Sequence, residues 1–367
     1  MHRSALLLLA ASLAALAQHA PPGSPQVDAD HNVTFRLRAP NAKEVSVTLE
    51  GAKPMPMQRD DNGVWTATGG PLDPDYYGYF FVADGANLID PLNPLLKPNL
   101  ILTQNMVHVP GPPSLPWELN DVSHGVVHHH FYHSGVVGDD RDFYIYTPPG
   151  YDPAAAKLYP VLYLLHGYSD MASGWSAVGL ANVILDNLIA QGKAKPMLVV
   201  MPLGYGAPEV VQRTGPPVRN PDLWKKNMDR FRDALLTEVI PQVEKSYRAA
   251  KDRDQRAVAG LSMGGAESLY TGLNALDRFA WIGAFSSGGL GEDFGPEFPG
   301  LGSKANKQLH LLWIACGTDD RLLAPNRKFR EWLTTKGVHH TDIDTPGAHT
   351  WMVWRRNLAA FAPLLFE

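Results

Sequence analysis

The chain has 367 residues, 45% of them hydrophobic, and a formal net charge of −5. That length exceeds the usual size of one domain, so one large and one small domain are expected, with apolar residues enough for a sizeable core. With no long basic run, the charge balance excludes a nucleic-acid footprint.

The N-terminus reads as an export signal. His2 and Arg3 precede an apolar run from Ala5 to Ala17 that ends in Ala15-Leu16-Ala17, a small-x-small cleavage pattern. The run is too short to anchor in a bilayer. Residues 1–17 are therefore expected to be removed, leaving Gln18 first, no membrane attachment and a secreted or periplasmic protein. Cys316 is the single cysteine, so stability rests on the core rather than on disulfides. It sits in the apolar run Leu311–Cys316 and reads as a small core residue.

After a Pro-rich leader, Pro21 to Pro25, the pattern is all-β. Val33–Arg38, Val45–Leu49, Val64–Ala67 and Tyr77–Val82 alternate, separated by turn signals such as Asp60-Asp61-Asn62-Gly63 and Asp84-Gly85. Short alternating strands at this spacing indicate a β-sandwich, placed at residues 24–110. A stiff segment at 111–122, beginning Gly111-Pro112-Pro113, reads as the linker.

From 123 to 367 strands alternate with helices. Val126–His133 and Asp142–Thr147 form a candidate hairpin. Val161–Leu165, Met197–Met201, Ala257–Ala259, Ile282–Ser286, His310–Cys316 and Thr341–Asp344 follow, most of them apolar on both faces as buried parallel strands are. Helices are expected at Ala177–Ala190, Leu223–Tyr247, Ala266–Asn274, Asn326–Lys336 and Met352–Leu364. This is an α/β three-layer sandwich preceded by a small all-β domain. Two long Gly/Pro-rich loops, Gly204–Pro221 and Ser287–Lys307, leave the carboxyl edge of the sheet, where open α/β folds bind ligands. They are the expected cleft walls.

The stretch Gly260-Leu261-Ser262-Met263-Gly264 lies between a strand and a helix. A tight strand–turn–helix holds a serine hydroxyl at the top of a sheet beside a helix N-terminus, which suits a nucleophile. Its base is expected at His349, in the loop between the last strand and the last helix. His128, His129, His130 and His133 share one strand but have no cysteine or carboxylate cluster to support a metal, and no metal or organic cofactor is expected. The acid is expected in Gly317-Thr318-Asp319-Asp320, where spacing leaves Asp319 and Asp320 as alternatives. Backbone N–H groups of Met263 and Tyr168 are the expected oxyanion donors. Gly167 lets the backbone approach, and His166 is expected to bond the turn. Gly167 and Trp351 are candidate substrate-binding positions.

His166-Gly167, the elbow at Gly260–Gly265, Gly317–Asp320 and Gly347–Trp351 together resemble the esterase D / feruloyl esterase family of α/β-hydrolases, more narrowly carbohydrate esterases acting on arabinoxylan. The resemblance covers most of 123–367 and implies that Asp320 is the acid. It departs at Glu267, read as a helix N-terminal carboxylate favoured by the dipole. Val33–Ala42 and Gly63-Val64-Trp65 resemble an early-set immunoglobulin-like domain. There Trp65 and Tyr79 are expected to fill the sandwich core, with sugar binding by Trp65 or Tyr76 as the alternative. The resemblance implies a secreted serine esterase removing feruloyl or acetyl groups from plant cell-wall polysaccharide. A siderophore-ester hydrolase, an acyltransferase and a non-catalytic sugar-binding protein are the alternatives.

Overall fold

In Val33–Arg38 every second side chain is buried, as a strand with one face on a core requires. The computed structural model describes residues 23–213 and 220–367. The export signal, the first two residues of the Pro-rich leader and part of the first long loop lie outside the described residues. The chain falls into two units, one of residues up to Leu95 with Asn105–Val109, the other of Leu96–Gln104 with Pro110–Glu367.

The first unit holds β1 (Gln26–Val27), β2 (Val33–Arg38), β3 (Val45–Leu49), β4 (Met55–Pro56), β5 (Gln58–Arg59), β6 (Val64–Gly69), β7 (Asp75–Ala83) and β8 (Ala86–Leu88); after β9 (Leu96–Lys97) of the second unit comes β10 (Gln104–Val109). One sheet runs β1-β2-β6-β5; another runs β4-β3-β7-β10, with β8 on β7. Phe35, Val47, Tyr79 and Phe81 are buried between them. Trp65 is buried too, and its Nε1–H donates to the Ala39 carbonyl at 2.9 Å. It is a core residue with its one polar atom satisfied.

The second unit is built on one sheet of eight strands: β11 (Val126–Ser134), β12 (Asp139–Thr147), β13 (Val161–Leu165), β14 (Leu198–Pro202), β15 (Arg256–Leu261), β16 (Trp281–Phe285), β17 (Leu311–Gly317) and β18 (Thr341–Thr345). Their order is β11-β12-β14-β13-β15-β16-β17-β18. From β14 to β18 neighbours are parallel, while β11 and β12 form an antiparallel edge. After β13 the chain first goes out to β14 and then returns to the other side at β15. The crevice at the carboxyl ends of β13 and β15 is therefore a topological switch point.

Helices cover the sheet: α1 (Ala181–Ala190), α2 (Pro221–Ala234), α3 (Ile240–Ser246), α4 (Met263–Asn274), α5 (Leu323–Thr335) and α6 (Trp351–Phe361). Ile282, Ala284, Leu312 and Ile314 share a core with Leu269 and Leu273 of α4 and Phe329 of α5. On the other face, Phe285 and Trp313 pack on Phe361 of α6.

Two expected helices differ. The one expected at Ala177–Ala190 is broken by Leu180, whose φ of 55° is left-handed; a π turn at Gly174–Val178 precedes it. The one expected at Leu223–Tyr247 passes through a π turn at Leu235–Val239, just before Pro241. Proline lacks an N–H and its ring crowds the carbonyl four residues back, so a widened turn there accommodates it.

Candidate active site

The carboxyl end of β15 turns directly into α4, and Ser262 sits at the turn with φ 51° and ψ −115°. Such a backbone is sparsely populated for a side-chain-bearing residue and survives only where its surroundings fix it. Ser262 N–H donates to Phe285 O at 2.8 Å, while Ser262 O accepts from Gly288 N–H at 3.0 Å and Ala266 N–H at 3.1 Å. Gly264 must be glycine, because a Cβ there would lie 2.4 Å from the His166 carbonyl oxygen. That absence of a side chain lets the elbow press against the end of β13.

His349 lies between β18 and α6 and reaches the serine. Asp320 Oδ2 accepts from His349 Nδ1–H at 2.7 Å, which fixes the tautomer and leaves Nε2 to accept the Ser262 hydroxyl proton at 3.0 Å. The structure brings Asp320 to the histidine, with Asp319 exposed beside it. Burial raises the Asp320 pKa, but the hydrogen bonds from His349 and from Leu322 N–H outweigh it and leave the carboxyl below its ordinary value. Trp354 stands edge-on to the His349 ring, 4.9 Å away at 88°.

Two backbone segments flank the serine. Met263 opens α4, and the first N–H groups of a helix have no partner within it. Tyr168 follows Gly167, where a Cβ would lie 3.3 Å from Ser262 Cβ. Gly167–Asp170 form a turn closed by Asp170 N–H to Gly167 O at 3.2 Å. Ser169, third in that turn, has φ 69°, the type II pattern that normally takes glycine.

His166 holds the start of this turn. Its Nδ1–H donates to Gly167 O at 2.8 Å, and its Nε2 accepts from Gly204 N–H at 2.8 Å. Burial pulls its pKa down to about 4, so it is a neutral ring of one tautomer. In a trans peptide C=O and N–H point opposite ways, so fixing Gly167 O aims the Tyr168 N–H away from the His166 ring.

Glu267, read from the sequence as a dipole-stabilised carboxylate, is instead fully buried. Asn227 Nδ2–H donates to its Oε1 at 3.0 Å, but Oε2 has no hydrogen-bond partner. Burial holds its pKa well above the glutamate range despite that bond, which favours the protonated acid. Trp351 is also turned into the core, 5.2 Å from the Trp175 ring and 5.4 Å from the Trp354 ring, and is not brought to the serine.

Beside the elbow, the loop from Ser287 lines a cavity of about 510 Å³ with Leu322 and Phe329. A second of about 540 Å³ is lined by Trp224, Met228 and Tyr270. Gly289-Leu290-Gly291 line both. Pro221 lines the second, whereas residues 214–219 of the other expected wall lie outside the described residues. The four histidines of β11 are engaged locally, for example His129 Nε2 with Asp142 at 2.7 Å and His130 Nε2 with the Tyr247 hydroxyl at 2.5 Å. Among the described residues no cluster of three or more metal-ligating side chains occurs.

Residues 134–365 match the family model described as "Putative esterase". The chain belongs to this esterase family. Residues 23–94 of this esterase match the carbohydrate-binding module 48 family (isoamylase N-terminal domain). It is 30% identical over 351 residues to an endo-1,4-beta-xylanase/feruloyl esterase of Xylanibacter ruminicola, which covers 94% of this chain and 46% of that protein. An esterase of Mycobacterium tuberculosis is 23% identical over 266 residues, covering 59% of this chain and 54% of its own. The chain thus spans about half the length of these curated relatives. A ferulic acid esterase of Anaeromyces mucronatus, solved with ferulic acid, superposes with a TM-score of 0.59 at 28% identity, over 68% of this chain and 93% of that one. The enterochelin esterase of Shigella flexneri has a TM-score of 0.65 at 19% identity, covering 95% and 96%, a likeness of fold.

Proposed function

We propose that this esterase is an exported serine carboxylic-ester hydrolase that removes feruloyl or acetyl groups from arabinoxylan through an acyl-enzyme. The reading is carried by the Ser262–His349–Asp320 chain, bonded at 3.0 and 2.7 Å at the switch point of the sheet. Its substrate class is supported by the 30% identity to a xylanase/feruloyl esterase across 94% of the chain.

Ser262 Oγ attacks the ester carbonyl carbon while its proton passes to His349 Nε2. Ionised Asp320 stabilises the imidazolium and holds its orientation. Met263 and Tyr168 N–H groups receive the oxyanion. Loss of one such donor costs roughly 3 kcal/mol in the transition state. As the intermediate collapses, the proton moves from Nε2 to the leaving sugar oxygen. Water then repeats the sequence on the acyl-serine: His349 takes its proton, the carbonyl carbon gains the hydroxyl, and Ser262 leaves protonated.

The test compares methyl ferulate, acetylated xylan and an aryl acetate under one set of conditions. The wild type is expected to release acid from at least one of the first two, and Ser262→Ala to lose turnover on all. Appreciable turnover by Ser262→Ala would move the nucleophile elsewhere. Hydrolysis of the aryl acetate alone would remove the polysaccharide reading. Export is tested by N-terminal sequencing of protein collected outside the cytoplasm, with Gln18 the expected first residue.

A further inference from the structure

The oxyanion turn contains a residue that local chemistry does not favour. Ser169 carries φ 69° where a type II turn normally takes glycine, and such strain persists only if other groups over-determine it. The groups that hold it come from a segment 70 residues earlier, Leu96–Gln104, which belongs to the same unit as the site.

Asn99 Nδ2–H donates to Ser169 Oγ at 3.0 Å and to Asp170 Oδ1 at 3.2 Å, and Leu100 N–H donates to Ser169 O at 2.8 Å. Three hydrogen bonds thus fall on the last two residues of the turn. The other end of the Asn99 amide faces its own segment: Oδ1 accepts from Ile101 N–H at 2.9 Å and Leu102 N–H at 3.2 Å. One side chain therefore folds the segment and ties it to the turn. The Leu100 side chain enters the apolar cluster that contains Met263, Tyr168, Tyr205 and Trp224. It stands among the residues whose N–H groups would receive the oxyanion.

We propose that Asn99 and Leu100 form a brace that fixes the Gly167–Asp170 turn, making Asn99 a positioning residue for the Tyr168 oxyanion donor. His166 clamps the first carbonyl of the turn, and the brace clamps its last two residues. With both ends held, the Tyr168 peptide cannot rotate to relieve Ser169. The consequence is a donor set in place before the substrate arrives, so the brace acts on the transition state rather than on ground-state binding.

The proposal rests on the serine-esterase reading, and its test separates the two. Full-length wild type, Asn99→Ala and Asn99→Asp are compared on an aryl acetate, together with the Ki of an aryl trifluoromethyl ketone, whose serine adduct carries the oxyanion. Asn99→Asp keeps Oδ1 and therefore the bonds within its own segment. It loses the donor to Asp170 and sets a second carboxylate against it. Both variants are expected to lose roughly 10–100-fold in kcat, part of the 10²–10³ that a missing donor costs, with KM changed less than threefold. The ketone Ki should rise by the factor that kcat/KM falls. A merely structural residue would lower the melting temperature and leave kcat and the Ki alone. Wild-type kcat and ketone Ki in Asn99→Asp would reduce Asn99 to a local turn residue and overturn the brace, even if Asn99→Ala failed to fold. No aryl-ester turnover in the wild type would instead overturn the esterase reading.

Discussion

Asp319 and Asp320 are adjacent, of one chemical type, and in one turn. What separates them is that the Asp320 carboxyl is buried and bonded to His349 Nδ1, whereas Asp319 faces solvent. Replacing a carboxylate by an amide of the same shape keeps the packing but offers an N–H where the histidine also needs to donate. The tautomer with Nε2 as acceptor is then disfavoured. Asp320→Asn is expected to lower kcat by about 10³–10⁴, as the loss of the orienting acid does in a serine triad. Asp319→Asn should stay within about twofold. Steady-state kinetics on an aryl acetate check both; equal activities would undo the assignment. The same bonds carry a stability effect. Because folding depresses the Asp320 pKa, its contribution is present above the unfolded value near 3.8 and is lost as pH falls through the folded one.

At the scale of the element, α4 both presents Ser262 and buries Glu267, four residues beyond Met263. From sequence the elbow was readable because its requirements are local: small residues at Gly260 and Gly264, a strand before, a helix after. The strand list was readable for the same reason, since a buried parallel strand is apolar on both faces wherever it lies. Glu267 was not, because its fate depends on Asn227, which the fold brings in from 40 residues away. The Asn99 brace was hidden in the same way. The π turn before Pro241 was hidden because a single widened turn does not disturb a 3.6-residue period enough to show. The buried acid has a measurable signature. In the unfolded chain Glu267 ionises near 4.5, while in the folded chain it holds its proton to higher pH. The folded state then binds more protons, so stability falls as pH rises above 4.5, by at most about 1.4 kcal/mol per pH unit. Glu267→Gln removes that loss. Between pH 5 and pH 8 the melting temperature of Glu267→Gln should gain on wild type by several degrees, at about 2–4 °C per kcal/mol. A gap that does not move with pH would mean Glu267 is ionised in the fold.

On the proposed arabinoxylan reading, the chemistry and the polymer would be handled by different units. Ser262, His349, Asp320 and the two proposed oxyanion donors, Met263 and Tyr168, lie in the second unit, and the first unit carries its own aromatic core. It matches a family named for carbohydrate binding, and two of its aromatic residues are candidates for that role. Trp65 is unsuited, being buried with its Nε1–H bonded to Ala39. Tyr76 is better placed. Along β7 Asp75, Tyr77, Tyr79 and Phe81 are buried on one face, so Tyr76 points to the opposite face, where it is half-buried and Gly78 is buried. There it stacks on His108 of β10, its cross-strand partner, with ring centroids 4.3 Å apart and planes at 11°. The stacked His108 ring holds the Tyr76 ring rigid across two strands, and a rigid aromatic ring is the kind of group against which a pyranose packs. Full-length Tyr76→Ala is therefore expected to be retained several-fold less on insoluble arabinoxylan and to release acid more slowly from that polymer. Its kcat/KM on methyl ferulate should match wild type, because a soluble ester needs only the second unit. Retention and polymer turnover equal to wild type would exclude this face from polysaccharide binding. A parallel loss on methyl ferulate would mean that Tyr76 acts on the catalytic unit rather than on the polymer.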